Sequence, residues 1–287
     1  MQILIQNLTK DQVDTFGLVL LSANIKHEIR PSHGDWELWV ADDAVDEAQK
    51  VLRNYVDENR AVETRTESQL ANYRQTWAGI WGGLILLTWY VAVHSNPDMA
   101  SIHRTYASSA SHILRGEWYR SATALLLHAD VVHLVGNLAG VGVFATAVCS
   151  VTGWGMGWLL ILISGICGNL INAYFYAYGH RAIGASTAVF GAVGLLCAYQ
   201  FIKRMRSPGS RFQIWLPLGV GLALLAFLGA STHTDIMAHL FGLLAGMVLG
   251  MGYYRFCSKT LAWPWQASAL AVCILIIAAA WLSPVMK

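Results

Sequence analysis

The stretch GASTAVFGAVG, residues 184–194, opens a run that carries no charged residue from 182 to 202. Its third residue is Ser186, set among small side chains just inside a segment long and apolar enough to be a membrane-crossing helix. Small residues let helices approach closely, and a serine can hydrogen-bond back onto its own helix. Taken alone, the stretch therefore reads as helix packing. Whether that reading suffices depends on what the rest of the chain places at the same depth.

Further charge-free runs flank this one. A bilayer crossing needs about 20 predominantly apolar residues. Seven segments of the 287-residue chain approach or meet that length: residues 77–93, 133–148, 158–176, 182–202, 213–231, 236–254 and 266–284. Mean hydropathy is +0.45. The expectation is an all-α polytopic membrane protein, with a membrane domain over residues 75–287 and its last helix at roughly 264–285.

Charge is distributed unevenly. Residues 1–74 hold 13 acidic and 8 basic residues, and the remainder holds 4 acidic and 11 basic. A mildly acidic soluble head thus precedes a sparsely charged body. The basic excess of the body is accounted for by membrane topology and needs no nucleic acid. The start, MQILIQNLTKDQ, lacks a basic segment followed by an apolar one, so it does not read as a signal peptide. The head is expected to stay on the side where it is made. The five cysteines lie in or beside apolar segments, with no metal-binding or disulfide spacing, and read as small packing residues.

The head, residues 1–60, reads as a small α+β domain in the order β-α-β-β-α. ILIQ is a short strand, and Thr9 can cap a helix over residues 10–22. KHEIR and WELWV alternate about PSHGD, a hairpin connection. Asp42 is placed to cap a second helix whose apolar stripe is Val45, Ala48, Val51, Leu52 and Tyr55. Residues 61–74 are polar and read as a linker.

Positive residues orient the spans. Lys203, Arg204, Arg206 and Arg211 follow the fourth span, and Arg255 and Lys259 follow the sixth. Such loops belong on the cytoplasmic side. Spans two, four and six then run inward from the outer face. His133 and Asn137 stand at the start of span two, Ser186 at the start of span four and His239 at the start of span six. Three separate segments thus place polar groups at one shallow depth, where ionisable residues are costly and mark function.

A serine hydroxyl needs a base within hydrogen-bond reach and donors for the oxyanion. His239 can be that base if spans four and six meet. Gly242, Gly246 and Gly250 below His239, and Gly184, Gly191 and Gly194 on span four, would let the two backbones approach. His133 and Asn137, four apart on one helical face, suit an oxyanion hole together with the Ser186 N–H. No carboxylate inside the spans can orient His239, so the arrangement reads as a Ser–His dyad. Asp130 reads as a cap for span two, and Asp235 as a solvated loop residue.

With GEWYR in the first outer loop, HADVVHLVGN at span two, GAST at span four and AHLFGLLAG at span six, the sequence resembles the rhomboid intramembrane serine proteases. The likeness covers roughly residues 77–255. It implies a six-helix core plus a seventh C-terminal helix in a bacterial member with an N-terminal cytoplasmic domain. It implies Ser186 as nucleophile and His239 as base, with His133 and Asn137 as oxyanion donors. It further implies that His128 shapes the outer cavity, that Trp118 and Arg120 anchor the first loop at the interface with Glu117 as partner, and that Phe190 stacks on His239. Substrates would be transmembrane proteins, cut without metal or other cofactor. The location would be the bacterial inner membrane, with the site opening to the periplasmic side. The family usually has Gly after the serine, whereas this chain has Thr187.

Other classes fit less well. HADVVH spaces its histidines five apart, which faces them poorly on one helix, and lacks the HExxH of zinc hydrolases. GASTA lacks the last Gly of GxSxG, and no strand precedes it. An inactive rhomboid-like binder would lack a dyad member, and a transporter would show internal repeats and broken midplane helices.

Overall fold

The computed structural model describes residues 1–32, 34–70, 74–206, 211–229, 235–257 and 260–285, the side chains of 60–70, 211, 228 and 229 excepted. His33 of the expected turn, residues 207–210 of the basic loop and Lys259 lie outside the described residues. The chain divides into two compact units, residues 1–72 and 73–287.

The first unit is a three-stranded antiparallel sheet with two helices. In chain order these are β1 (Gln2–Leu8), α1 (Lys10–Ser22), β2 (His27–Ser32), β3 (Asp35–Val40) and α2 (Val45–Leu70). β3 lies in the middle, in the order β1-β3-β2. Thr9 caps α1 through a reciprocal pair with Gln12, each side chain taking the other's backbone N–H. That pairing satisfies two of the donors a helix start leaves free. Val13 and Leu20 of α1, Leu38 and Val40 of β3, and Ala48 and Leu52 of α2 form the core. Two expectations change here. Asp42 does not cap α2: it begins a short 3₁₀ turn, and its carboxylate meets the amino terminus at 3.3 Å. The helical backbone of α2 continues to Leu70, through most of the stretch whose polarity reads as a linker.

The second unit is helical. Its longer elements are α3 (Ala78–His94), α4 (Met99–Tyr106), α5 (Val131–Thr152), α6 (Trp154–Tyr176), α7 (Ser186–Met205), α8 (Arg211–Gly229), α9 (Ile236–Phe256) and α10 (Trp263–Leu282). Among the described residues five helices, α5, α6, α7, α9 and α10, are long and apolar enough to cross a membrane, so the chain is a multi-pass membrane protein. α3 is as long as the expected first span and one residue later, whereas the apolar part of α8, Phe212–Phe227, is shorter than the expected fifth; both fall below the length of the other five. α5 and α6 each begin earlier than expected, and a π-helical stretch, Val141–Ala145, interrupts α5.

Helices α7 and α9 touch through backbone. A Cβ on Gly242 would collide with the carbonyl oxygen of Thr187, one on Gly246 with that of Gly191, and one on Gly250 would lie 2.8 Å from the Ala198 methyl. These contacts advance together along both helices, so the two run parallel. α5 runs the same way: His133 lies against Gly184, and a turn or two later Gly140 faces Val189. All three helices therefore start on the same side of the unit, which is the relation the charge pattern calls for.

α10 is fastened near both ends. Gln266 is 3% exposed. Its Oε1 accepts the N–H groups of Gly155 and Met156, both at 2.9 Å, and its Nε2 donates to the carbonyl of Thr152 at 2.9 Å. It thus ties off the turn between α5 and α6, whose Gly153 has φ +92°, a conformation that favours glycine. Towards the other end the Tyr106 hydroxyl donates to the Trp281 carbonyl at 3.1 Å, and the two rings stack at 4.1 Å.

Candidate active site

Ser186 is the first residue of α7 and His239 lies in the first turn of α9. The glycine contacts between these helices bring Ser186 Oγ and His239 Nε2 to 2.8 Å. Phe190, one turn below Ser186, stacks on the His239 ring with centroids 4.6 Å apart and planes 25° from parallel. That stacking fixes the ring plane. His239 is 4% exposed, while Ser186 is half-buried and lines a cavity of about 1010 Å³. Donated to Nε2, the serine proton has a base at hydrogen-bond distance, which is the requirement for an activated hydroxyl.

The same cavity is lined by His133, Asn137 and Gly184. Asp130 caps α5, accepting the His133 N–H at 2.8 Å, and so fixes the turn that carries His133. Asn137 is buried and spends one amide N–H on the His133 carbonyl at 2.9 Å, which leaves its second for another acceptor. Gly184 has φ +125°, and a Cβ there would lie 2.6 Å from His133 Nε2. Glycine at 184 is thus required both by its conformation and by the imidazole packed on it. His128 is 1% exposed and its ring meets that of His133 edge-on, centroids 5.3 Å apart. Burial, with His133 beside it, pushes His128 down to about 4.

The loop before α5 holds the other residues singled out from the sequence. Trp118 is 64% exposed. Arg120 does not reach outward with it, as an interface anchor would: it is 5% exposed. Its Nε donates to Glu117 Oε2 at 2.7 Å, and its Nη1 donates to the carbonyls of Arg104 at 2.8 Å and Ala107 at 3.1 Å. Glu117 also accepts the Tyr119 hydroxyl at 3.1 Å. Burial works against the charged form of Glu117, but the bonds from Arg120 and Tyr119 outweigh it and hold the carboxyl below its ordinary value. Arg120 is thus the internal tie of this loop.

Asp235 is not the solvated residue that its position in the sequence suggests. Its side chain is 13% exposed and has three partners. Asn172 and His180, two of those partners, carried no sequence signal of their own. The hint that was available is the interval between Asp235 and His239, a cap position one turn before a polar residue on the same helix.

The chain belongs to the rhomboid domain family, whose profile matches residues 115–256. It is 30% identical over 137 residues to a protein of Bacillus subtilis (strain 168) described as putative rhomboid protease YdcA, covering 48% of this chain and 68% of that one. It is likewise 30% identical over 143 residues to rhomboid protease GluP of the same organism, covering 49% of this chain and 27% of GluP. A human relative, inactive rhomboid protein 2, is 28% identical over 142 residues, covering 49% of this chain and 16% of that protein. Active and inactive names thus both occur among its relatives.

Proposed function

We propose that the chain is an intramembrane serine endopeptidase that hydrolyses peptide bonds in or near transmembrane segments of other membrane proteins. The observation that carries this is the 2.8 Å contact between Ser186 Oγ and His239 Nε2 within the cavity. Ser186 Oγ attacks the scissile carbonyl carbon and its proton passes to His239 Nε2. The carbonyl oxygen becomes an oxyanion, held by His133, Asn137 and the Ser186 N–H. Collapse breaks the C–N bond, and the imidazolium returns the proton to the departing amine. Water, deprotonated by His239, then cleaves the Ser186 ester and releases the acid, restoring the hydroxyl.

The substrate backbone must be extended at the cut, because a helical peptide bond is already hydrogen-bonded and buried in lipid. Helix-breaking residues near the cut serve that need. By family resemblance the core is six helices, α3 and α5 to α9, with α10 as a seventh. The residues with assigned roles are Ser186, His239, His133 and Asn137, with His128, Phe190, Gly184, Trp118, Arg120, Gly242 and Gly246 in support. The location proposed is a bacterial inner membrane, with residues 1–60 cytoplasmic and the cavity opening to the periplasm; the positive residues after α7 and α9 support that orientation. Cleavage of a generic transmembrane substrate by purified wild type, and its loss in Ser186→Ala, tests the reading. Undiminished cleavage by Ser186→Ala would refute it.

A further inference from the structure

We infer that Asp235, His180 and Asn172 form a clasp that positions the reacting pair, an inference that rests on Ser186 and His239 being that pair. Asp235 precedes α9 and caps it. Its Oδ1 accepts the Ala238 N–H at 3.0 Å and its carbonyl accepts the His239 N–H at 3.1 Å. Its second carboxylate oxygen, Oδ2, reaches away from the helix. It accepts from Asn172 Nδ2 at 2.6 Å and from His180 Nε2 at 2.5 Å. A carboxylate can only accept here, so His180 must hold its hydrogen on Nε2. One carboxylate thus joins the end of α6, the α6–α7 connection and the first turn of α9.

The connection it grips leads directly to the serine. His180 stacks on Tyr176 at 4.0 Å, and its carbonyl accepts the Ala110 N–H at 3.1 Å. Arg181 and Ala182 then pair with Ser109 and Ser108 as two short antiparallel strands. Gly184 donates its N–H to the Ala124 carbonyl at 2.9 Å, and two residues later comes Ser186. From His180 to Ser186 is six residues, and from Asp235 to His239 is four. The His180–Asp235 contact therefore closes a short circuit whose far side is the Ser186–His239 hydrogen bond.

Such a circuit has a specific consequence. The glycine contacts, from Gly242 on Thr187 downward, set how closely α7 and α9 approach, and the connection before Ser186 sets how the first turn of α7 is presented to His239. Releasing His180 from Asp235 removes the one of these ties that links the connection to α9, and small displacements of reacting groups cost roughly ten- to a hundredfold in rate. His180 and Asp235 are therefore positioning residues. They act through Ser186 and His239 and take no part in bond making.

The test uses His180→Ala, His180→Gln, Asp235→Ala and Ser186→Ala of the full chain in detergent. Active sites are counted by a fluorophosphonate that labels Ser186. Expected for His180→Ala is a fall in kcat per active site of about tenfold or more, with KM within twofold of wild type and slower labelling. His180→Gln keeps an N–H donor at the same reach and should recover most of that loss. His180 is on a connection and partly exposed, so its variants carry the test even if Asp235→Ala does not fold. An unchanged kcat per active site in His180→Ala, or a Gln variant no better than Ala, overturns the clasp. Cleavage retained by Ser186→Ala would instead overturn the assignment of the reacting pair, and the clasp with it.

Discussion

A Cβ on Gly242 would collide with the carbonyl oxygen of Thr187 and come within 3.1 Å of its methyl carbon. Thr187 directly follows Ser186, and Gly242 lies one turn below His239. The backbones of α7 and α9 are therefore already in contact at the level of Ser186 and His239. The Thr187 methyl also faces Gly168 of α6, where an added Cβ would lie 2.7 Å away. Two glycines on neighbouring helices thus make room for the residue that replaces the family's usual Gly.

Overpacking a filled interface costs roughly 1–3 kcal/mol. Gly246→Val, pressed on Gly191, should lower both the melting temperature and the cleavage rate, although it changes no reacting atom. Gly242→Ala should do the same. Gly252 has nothing within 4 Å of an added Cβ, so Gly252→Val should stay close to wild type. Melting curves and cleavage assays on the three variants decide this. Wild-type behaviour of Gly246→Val would mean that α7 and α9 do not need this contact.

Ser186→Ala and His239→Ala should each abolish cleavage, and the double variant should be no worse than either, because groups that act as a unit do not lose activity additively. EDTA should leave the wild type active. Activity lost on chelation and restored by zinc would replace the dyad mechanism with a metal-dependent one.

Asn137→Ala should lower kcat with the fold intact. Removing one oxyanion donor typically costs about 10²–10³ in rate. The cost here should fall at or below the lower end, since His133 and the Ser186 N–H remain. An unchanged kcat would take Asn137 out of the site.

His128 makes stability depend on pH. Its folded value is about 4, against an ordinary 6.5. Between those values the unfolded chain takes up a proton that the folded chain refuses. Stability must therefore fall as pH drops from about 6.5 towards 4. Over the whole window this amounts to about 3 kcal/mol at most. His128→Gln should show a smaller drop in melting temperature between pH 7 and pH 5 than wild type does. Equal drops would show that His128 is not the group responsible.

The helices and the meeting of Ser186 with His239 were legible because they depend on signals that lie within single segments. Runs without charge give the spans, and the four-residue spacing of Gly242, Gly246 and Gly250 gives the face that α9 turns to α7. What escaped depends on pairs far apart in sequence. Asp235 read as solvated because, beyond the start of α9 that it caps, nothing near it in the chain needs a carboxylate. Its partners, Asn172 and His180, lie 63 and 55 residues away. Arg120 read as an anchor only through the family resemblance, whereas its place is set by two carbonyls made 13 and 16 residues earlier. Asp42 and Asp130 looked alike as caps, and only Asp130 accepts a helix N–H.

Gln266→Leu should be among the costlier single changes in the membrane unit. It keeps the side chain's bulk but removes every acceptor and donor offered to Gly155, Met156 and Thr152. A buried polar group left without a partner costs about 1–3 kcal/mol. The melting temperature should fall by several degrees, with kcat per active site nearly unchanged, because Ser186 and His239 are not touched by α10. A melting temperature equal to wild type would show that water serves the α5–α6 turn as well as Gln266 does.

That fastening also bears on the order in which the chain is made. Gly155 leaves the ribosome 111 residues before Gln266. Throughout the synthesis of α6 to α9 the α5–α6 turn has amides and a carbonyl waiting for a side chain that does not yet exist. A chain interrupted after α9 would carry Ser186, His239, His133 and Asn137, yet its α5–α6 turn would lack Gln266. The α5–α6 turn is thus finished by the last helix to be made. Only a chain read through to α10 brings Gln266 to that turn, and an interrupted one keeps the Gly155 and Met156 amides and the Thr152 carbonyl without it.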